Sequence, residues 1–353
     1  MSAPAARTPA AAPTPTPRRV IGWYVHHVGQ GHARRAEGLA RSLRARLDVD
    51  VVGLSTLPRP AGWEGGWLQL PPDEVEEPSD PTAGGHLHWA PRHPRIRERA
   101  GAISQWLVEA APAAFVSDVS IEAALLARLH GVPVVAVALP GERDDAAHAL
   151  GFGVADAVVG FWPASATDEL LHLRPALRRR VAAVGASSSF PGRASPGQPL
   201  DRHVVALSGR GGAAWSAEQL ARVRQATEAA GWTWTVLGEG SWVEDPSDAL
   251  RRASVVITHA GQNALADVAA ARRPAVVVPA VRPHAEQRST GAALARGDWP
   301  VRVLDDLAQV PAADWPDLLA GVARLGGGGW GRWCDGRADE RFIEVVAAVL
   351  EAS

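Results

Sequence analysis

The stretch VVITHAGQNALADVAAARRPAVVVP, residues 255 to 279, passes from one apolar run to another through a small polar hinge. Where a buried strand gives way to a helix, the first backbone N–H groups lack an intrahelical partner and attract anions. Gly261 lets a ligand approach the backbone there, flanked by His259 and Ala260. Asn263 and Asp267 are four apart and share one helical face. A carboxylate one turn into such a helix can accept hydrogen bonds from two adjacent hydroxyls, as in ribose recognition. A plain helix start with one solvated acid is the simpler reading of the same residues.

Two neighbouring stretches carry related signals. In ALSGRGGAAWS, Gly209, Gly211 and Gly212 would let main-chain N–H groups converge on a phosphate. Ser216 and Gln219 form a capping-box pattern, so the helix starts several residues later, which suits an ordinary Gly-rich turn equally well. No Gly-Lys-Ser/Thr follows, which excludes a Walker A loop. In VVVPAVRPHAEQ, Pro283 fits the first turn of a helix and places Glu286 and Gln287 in that turn, where polar side chains can meet sugar hydroxyls.

The first half offers HHVGQGHARRA, with Gly29, Gln30, Gly31 and His32 in sequence. A general base needs a pKa near the working pH, and His meets that requirement. A His that opens a helix is favoured in its neutral, proton-accepting form. Asp118 ends the apolar stretch AFVSD and serves as the base, as the group that orients His32, or as the N-cap of the next helix. His86, His88 and His93 invite a metal reading, but no acidic residue stands beside them in sequence, and a solvated loop is expected instead. The DVD of residues 48–50 precedes its strand rather than ending one, so no metal is assigned there. Among 14 tryptophans, most expected in packing, Trp89 and Trp242 are the candidates for stacking on a ligand.

These residues need a frame. RVIGWYV, VDVVGL, AAFVSD and VPVVAVAL read as strands, and the segments between them as helices, with Ala36, Leu39, Ala40, Leu43 and Leu47 on one face. Residues 71–95 form a long Pro/Gly/His segment without period, a length usually associated with function or disorder. GASSSFPGRASPGQPLD is a linker by composition. After it HVVALSG, WTWTVLG, ASVVIT and PAVVVPA alternate with helices. Short, continuously apolar strands alternating with helices imply parallel sheets covered on both faces. The expected division is a tail at 1–17, a first domain at 18–187, a linker at 188–200, a second domain at 201–336 and a C-terminal helix at 337–353. That last helix can pack back on the first domain.

The totals agree with this frame. The chain has 353 residues, 46% hydrophobic and 21% charged, with a net charge of -2, so it shows no footprint for nucleic acid. One cysteine excludes an intrachain disulfide and a cysteine-built zinc site. The N-terminus is Pro/Ala/Thr-rich with no apolar core, unlike a signal peptide, and no apolar run reaches the roughly 20 residues of a membrane helix. A cytoplasmic protein with a disordered tail is expected.

THAGQNALAD, VVVPAVRPHAEQ and GAALARG together resemble the donor-binding half of GT-B glycosyltransferases, in particular the group containing the MurG-type transferases, over roughly residues 204–297. The resemblance implies two doubly wound Rossmann-like domains and a nucleotide-sugar donor, UDP-linked by preference, bound in the cleft between them without a metal or other cofactor. It implies that Asp267 holds the ribose where the family usually has Glu, and that Gly261 and its neighbours face the diphosphate. Glu286 and Gln287 would face the donor sugar, and a main-chain group at Val243 would read the base. Gly291 departs from the family's Asn. The Gly29–His32 turn is similar to the family's acceptor-side loop. The activity implied is an inverting transfer to a hydroxyl on a small-molecule or lipid-linked acceptor, with peripheral membrane contact possible in the second case. A nucleotide-sugar 2-epimerase of the same fold and an inactive nucleotide-sugar-binding partner protein are the alternatives.

Overall fold

The computed structural model describes residues 18–28, 31–188, 190, 198–208, 215–238, 241, 243 and 245–352. Gly29, Gln30, Gly209, Gly211, Gly212 and Trp242 lie outside the described residues. In chain order the first half contains β1 (Arg19–Tyr24), α1 (Gly31–Leu47), β2 (Val49–Ser55), β3 (Trp67–Gln69), α2 (Pro94–Ala110), β4 (Ala114–Asp118), α3 (Ile121–Leu129) and β5 (Val134–Ala138). It continues with β6 (Gly141–Glu142), α4 (Ala146–Val154), β7 (Ala157–Gly160), α5 (Thr167–Leu170), β8 (Leu171–His172), α6 (Pro175–Arg178) and β9 (Val181–Ala183). The second half holds β10 (His203–Leu207), α7 (Ala217–Glu228), β11 (Thr233–Leu237), α8 (Ser247–Arg252), β12 (Val255–Thr258), α9 (Gln262–Ala270) and β13 (Ala275–Val277). It ends with α10 (Glu286–Arg296), β14 (Val301–Val303), α11 (Trp315–Ala323) and α12 (Ala338–Ala352).

Among the described residues the strands form two main sheets, ordered β3-β2-β1-β4-β5-β7-β9 and β11-β10-β12-β13-β14. Every pairing in both is parallel. Their strands are continuously apolar because both faces are covered. In β1, Ile21 and Trp23 enter the core shared with α1 and α12, while Tyr24 turns to the core on the other face. In β10, Val204 and Val205 divide in the same way. Each sheet is doubly wound. The chain leaves β1 in one direction, returns, and continues from β4 in the other, so strand order reverses between β1 and β4 and again between β10 and β12. Ligands in such sheets bind outside the carboxyl ends of the strands at these reversals.

Helix α12 crosses back onto the first sheet, against α1, β4, β5 and β7. Its Phe342 is fully buried and meets Trp23 at 5.5 Å and Phe161 at 5.8 Å between ring centroids. The halves also meet where β6 and α5 pack on α10. Gly141 allows that approach: its φ is 113°, and a Cβ there would stand 2.3 Å from the carbonyl oxygen of His284. Among the described residues, no helix is long and apolar enough to cross a membrane.

Candidate functional site

Both reversals open onto one cleft of about 1570 Å³. On the first sheet, β1 leads into α1 and β4 ends at Asp118. Asp118 is completely buried, and it is not the N-cap of α3, a role taken by Ser120. Its Oδ2 lies 3.0 Å from His32 Nδ1, and its Oδ1 accepts from Arg35 Nη2 at 2.9 Å. Burial alone would raise the Asp118 pKa, but the Arg35 guanidinium and His32 outweigh it and hold the carboxyl at about 2. A carboxylate so paired orients its neighbours and is a poor proton acceptor. With Nδ1–H donated to Asp118, His32 keeps Nε2 as its proton-accepting atom. Arg35 Nη2 also stands 3.4 Å from His32 Nδ1, but two donors cannot bond there, so its contact to Asp118 is the one that counts.

Arg35 is the residue that pattern reading missed. It is buried, stacks over Phe161 at 4.5 Å, and donates across the cleft to Gln262 Oε1 at 3.1 Å. The available signal was its spacing: three after His32 on a helix places both on one face. His26, 5.2 Å from His32 between ring centroids, also escaped; burial first, then His32 and His27, push its pKa down to about 3.

On the second sheet, β12 leads into α9 through His259, Ala260 and Gly261. His259 and Gly261 line the cleft, and two of the backbone amides here have partners within the chain. The Ala260 N–H donates to Gln287 Oε1 at 3.1 Å, and the Gly261 N–H donates to His259 Nδ1 at 3.1 Å. Burial lowers the His259 pKa to about 4, as befits a ring that accepts. The amides without a partner among the described residues lie one step on. The first helical bond runs from Leu265 N–H to the Gly261 carbonyl at 3.0 Å. The Gln262, Asn263 and Ala264 amides precede it, and Gly261 provides no side-chain cap. The Asn263 amide packs on Gly31, in the space a side chain at residue 31 would fill. The two helix starts therefore face each other.

Asp267 is buried at the cleft wall, and its Oδ1 accepts from Ser188 Oγ at 2.7 Å. Val243 is half-exposed in the same wall. Pro283 does not open the helix carrying Glu286 and Gln287. It starts a separate 3-10 turn, Pro283–Ala285, in which His284 and Ala285 take left-handed φ values of 56° and 53°. Glu286 then begins α10 at the cleft, while Gln287 is spent internally, its Oε1 receiving both Ala260 N–H and Ala280 N–H at 3.1 and 2.9 Å. Gly291 has a packing reason: a Cβ there would stand 2.5 Å from Pro279 Cγ.

The 71–95 segment is irregular and lines the cleft through Asp73, Glu74, Leu87, His88, Trp89 and Ala90. Glu122 Oε1 holds it, accepting from His88 N–H at 2.7 Å and Trp89 N–H at 3.0 Å. Trp89 is 38% exposed, with its Nε1–H donated to the Asp73 carbonyl at 2.7 Å. The three histidines of this segment separate. His93 caps α2, and His86 is exposed. His88 does have an acidic neighbour, Asp145, which the fold imports from α4's N-terminus. Asp48 and Asp50 pair with Arg18 and Arg44 instead of facing the cleft.

Comparison with known proteins adds to this geometry. Residues 241–293 match the glycosyltransferase family 28 C-terminal domain. Among solved structures, the chain is similar to Acinetobacter baumannii MurG, with 15% identity over 94% of this chain and 100% of that one, and a TM-score of 0.60. It is similar to the spinosyn forosaminyltransferase SpnP, with 14% identity over 95% and 100% and a TM-score of 0.67. It is also similar to UGT2 of Phytolacca americana complexed with UDP-2-fluoro-glucose and pterostilbene, with 15% identity over 94% and 100% and a TM-score of 0.59. No curated protein matches the sequence. The two doubly wound sheets and their cleft are the GT-B fold.

Proposed function

We propose that this chain, a glycosyltransferase of GT-B fold with a family 28 C-terminal domain, performs an inverting, metal-independent transfer from a nucleoside-diphosphate sugar to an acceptor hydroxyl. His32 Nε2 takes the acceptor's proton as the acceptor oxygen attacks the anomeric carbon. The bond from that carbon to the diphosphate breaks, its electron pair leaves on the diphosphate, and attack from the opposite face inverts configuration. Asp118 holds the ring for this step and stabilises the imidazolium that results. The open amides of Gln262, Asn263 and Ala264 receive the growing negative charge, an electrostatic role that elsewhere falls to a cation.

The observation that carries this reading is the opposition of the two helix starts, one bearing a His–Asp–Arg group and the other uncapped amides, across a single cleft. Asp267 binds the ribose, whose hydroxyls replace Ser188 Oγ on its carboxylate. Val243 borders the base and Glu286 the donor sugar. A UDP-sugar is favoured because the Phytolacca americana protein of the same fold is complexed with UDP-2-fluoro-glucose. The acceptor is a small or lipid-linked molecule with an apolar body, since Trp89, Ile96, Ile103 and Leu126 line the first-domain side. Exposed Leu129 also lines that side and offers a contact for a membrane surface.

A thermal-shift series with UDP-, dTDP- and GDP-sugars tests the donor, because a ligand bound only by the folded state raises the melting temperature. A rise with one nucleotide series is expected. No rise with any of them would overturn the reading. Conversion of the sugar-nucleotide to its 2-epimer without acceptor would replace transfer by epimerisation.

A further inference from the structure

A second group of side chains stands at the cleft wall, apart from the His32–Asp118–Arg35 group. His88 comes from the irregular 71–95 segment, Asp145 and His148 from the start of α4, and His284 from the turn before α10 in the second domain. One ring nitrogen from each of the three histidines lies within 4.8 Å of the other two. Ring centroids are 4.2 Å apart for His88 and His148, 4.8 Å for His148 and His284, and 5.3 Å for His88 and His284. One carboxylate serves all three: Asp145 lies 2.5 Å from His148 Nδ1, 3.5 Å from His88 Nε2 and 3.8 Å from His284 Nδ1. His88 Nε2 is buried and has no hydrogen-bond partner among the described residues.

We propose that His88, His148 and His284, with Asp145, bind a divalent transition-metal ion of the zinc class. Three imidazoles select such ions, whereas calcium and magnesium require oxygen cages. Zinc–nitrogen bonds of about 2.0–2.1 Å set tetrahedral nitrogen separations of roughly 3.4 Å, so the rings must draw together by an ångström or so. The Asp145–His148 contact resembles the carboxylate–histidine–metal arrangement that orients metal ligands. Arg143 opposes the ion: its Nη1 lies 3.1 Å from His148 Nε2, and because the guanidinium is planar and rigid the whole group, including its Nη2 and Nε contacts to the Pro140 carbonyl at 2.9 and 3.2 Å, must shift for that nitrogen to take a metal. The chain from Arg143 through His148 to Asp145 is complete without a metal, which accounts for His148. It does not account for two further histidines, from separate segments, set against the same carboxylate. The bound ion pins the acceptor-side segment to both domains at the point where Gly141 already packs on His284. The proposal is independent of the transfer chemistry.

The test uses the full chain without an affinity tag, titrated with Co2+ and then Zn2+ and followed by visible absorption and equilibrium dialysis. One equivalent of Co2+ with an intense tetrahedral spectrum, displaced by Zn2+, is expected. H88N and H284N, checked for folding by circular dichroism, should each weaken binding at least about tenfold. Failure to bind a stoichiometric ion overturns the proposal. So does binding that survives in both variants, which would move the ion to the cluster of His27, Asp73 and Glu74.

Discussion

The start of α1 and the start of α9 face the same cleft from the two sheets, one following the strand on the near side of its sheet's order reversal and the other the strand on the far side, and they are built in opposite ways. At α1 the side chains do the work: His32, Arg35 and Asp118 form a closed set of charge-assisted contacts around a buried carboxylate. At α9 the side chains step back. His259 and Gln287 engage the amides of residues 260 and 261, and Gly261 leaves those of 262–264 uncapped. A helix start at a sheet's reversal thus yields a proton-handling site when its side chains point in, and an anion site when only the backbone does.

The sharpest way to separate the two regions is His32→Ala. Loss of a general base should lower kcat by about 10²–10⁴, while the affinity for a nucleoside diphosphate, measured by calorimetry, stays near that of the unaltered protein. Equal losses in both would mean that the division of labour does not exist. Asp118→Asn comes next. It leaves the buried Arg35 charge without its partner, and such losses cost about 3–5 kcal/mol, read as a lower denaturation midpoint together with slower turnover. If stability were unchanged, Asp118 would not be anchoring the α1 side.

On the α9 side, Asp267→Ala should weaken nucleoside diphosphate binding about tenfold, the worth of hydrogen bonds to a charged group at about 1.5 kcal/mol, with little change in kcat. Unchanged binding would remove Asp267 from ribose recognition. A further effect is on pH dependence. His26 and His259 are held neutral at about 3 and 4 against an ordinary 6.5. Below pH 6.5 the unfolded chain takes up protons that the folded chain refuses. The stability these buried neutral rings allow is therefore present above pH 6.5 and falls as pH drops toward 4. The slope is roughly 1.4 kcal/mol per pH unit for each group. His259→Gln should remove one share of that slope in denaturation measured between pH 4 and 6.5; an unaltered slope would contradict the account of His259 as an obligate acceptor.

The alternation of apolar runs and amphipathic helices made both sheets legible, because parallel strands buried on two faces leave a strong mark in sequence. Local caps were legible too: Ser216 and Gln219 form the box their spacing announces. Long-range partners were not. Nothing near Asp118 in sequence announces Arg35, and nothing near His88 announces Asp145, since only the topology brings them together. The 3-10 turn at Pro283–Ala285 was hidden for another reason. Two consecutive non-glycine residues in left-handed conformation are disfavoured locally and persist through tertiary contacts. Gln287 lines the cleft, as its place in the first turn implies, and its carbonyl oxygen ties together two loops, which no local pattern announces.

The most direct measurement is a crystal structure of the protein with UDP. The account predicts the diphosphate on the amides of Gln262, Asn263 and Ala264, with a ribose hydroxyl in place of Ser188 on Asp267. A nucleotide bound away from the α9 start, or a cleft that stays closed by the Arg35–Gln262 contact with no nucleotide in it, would contradict it.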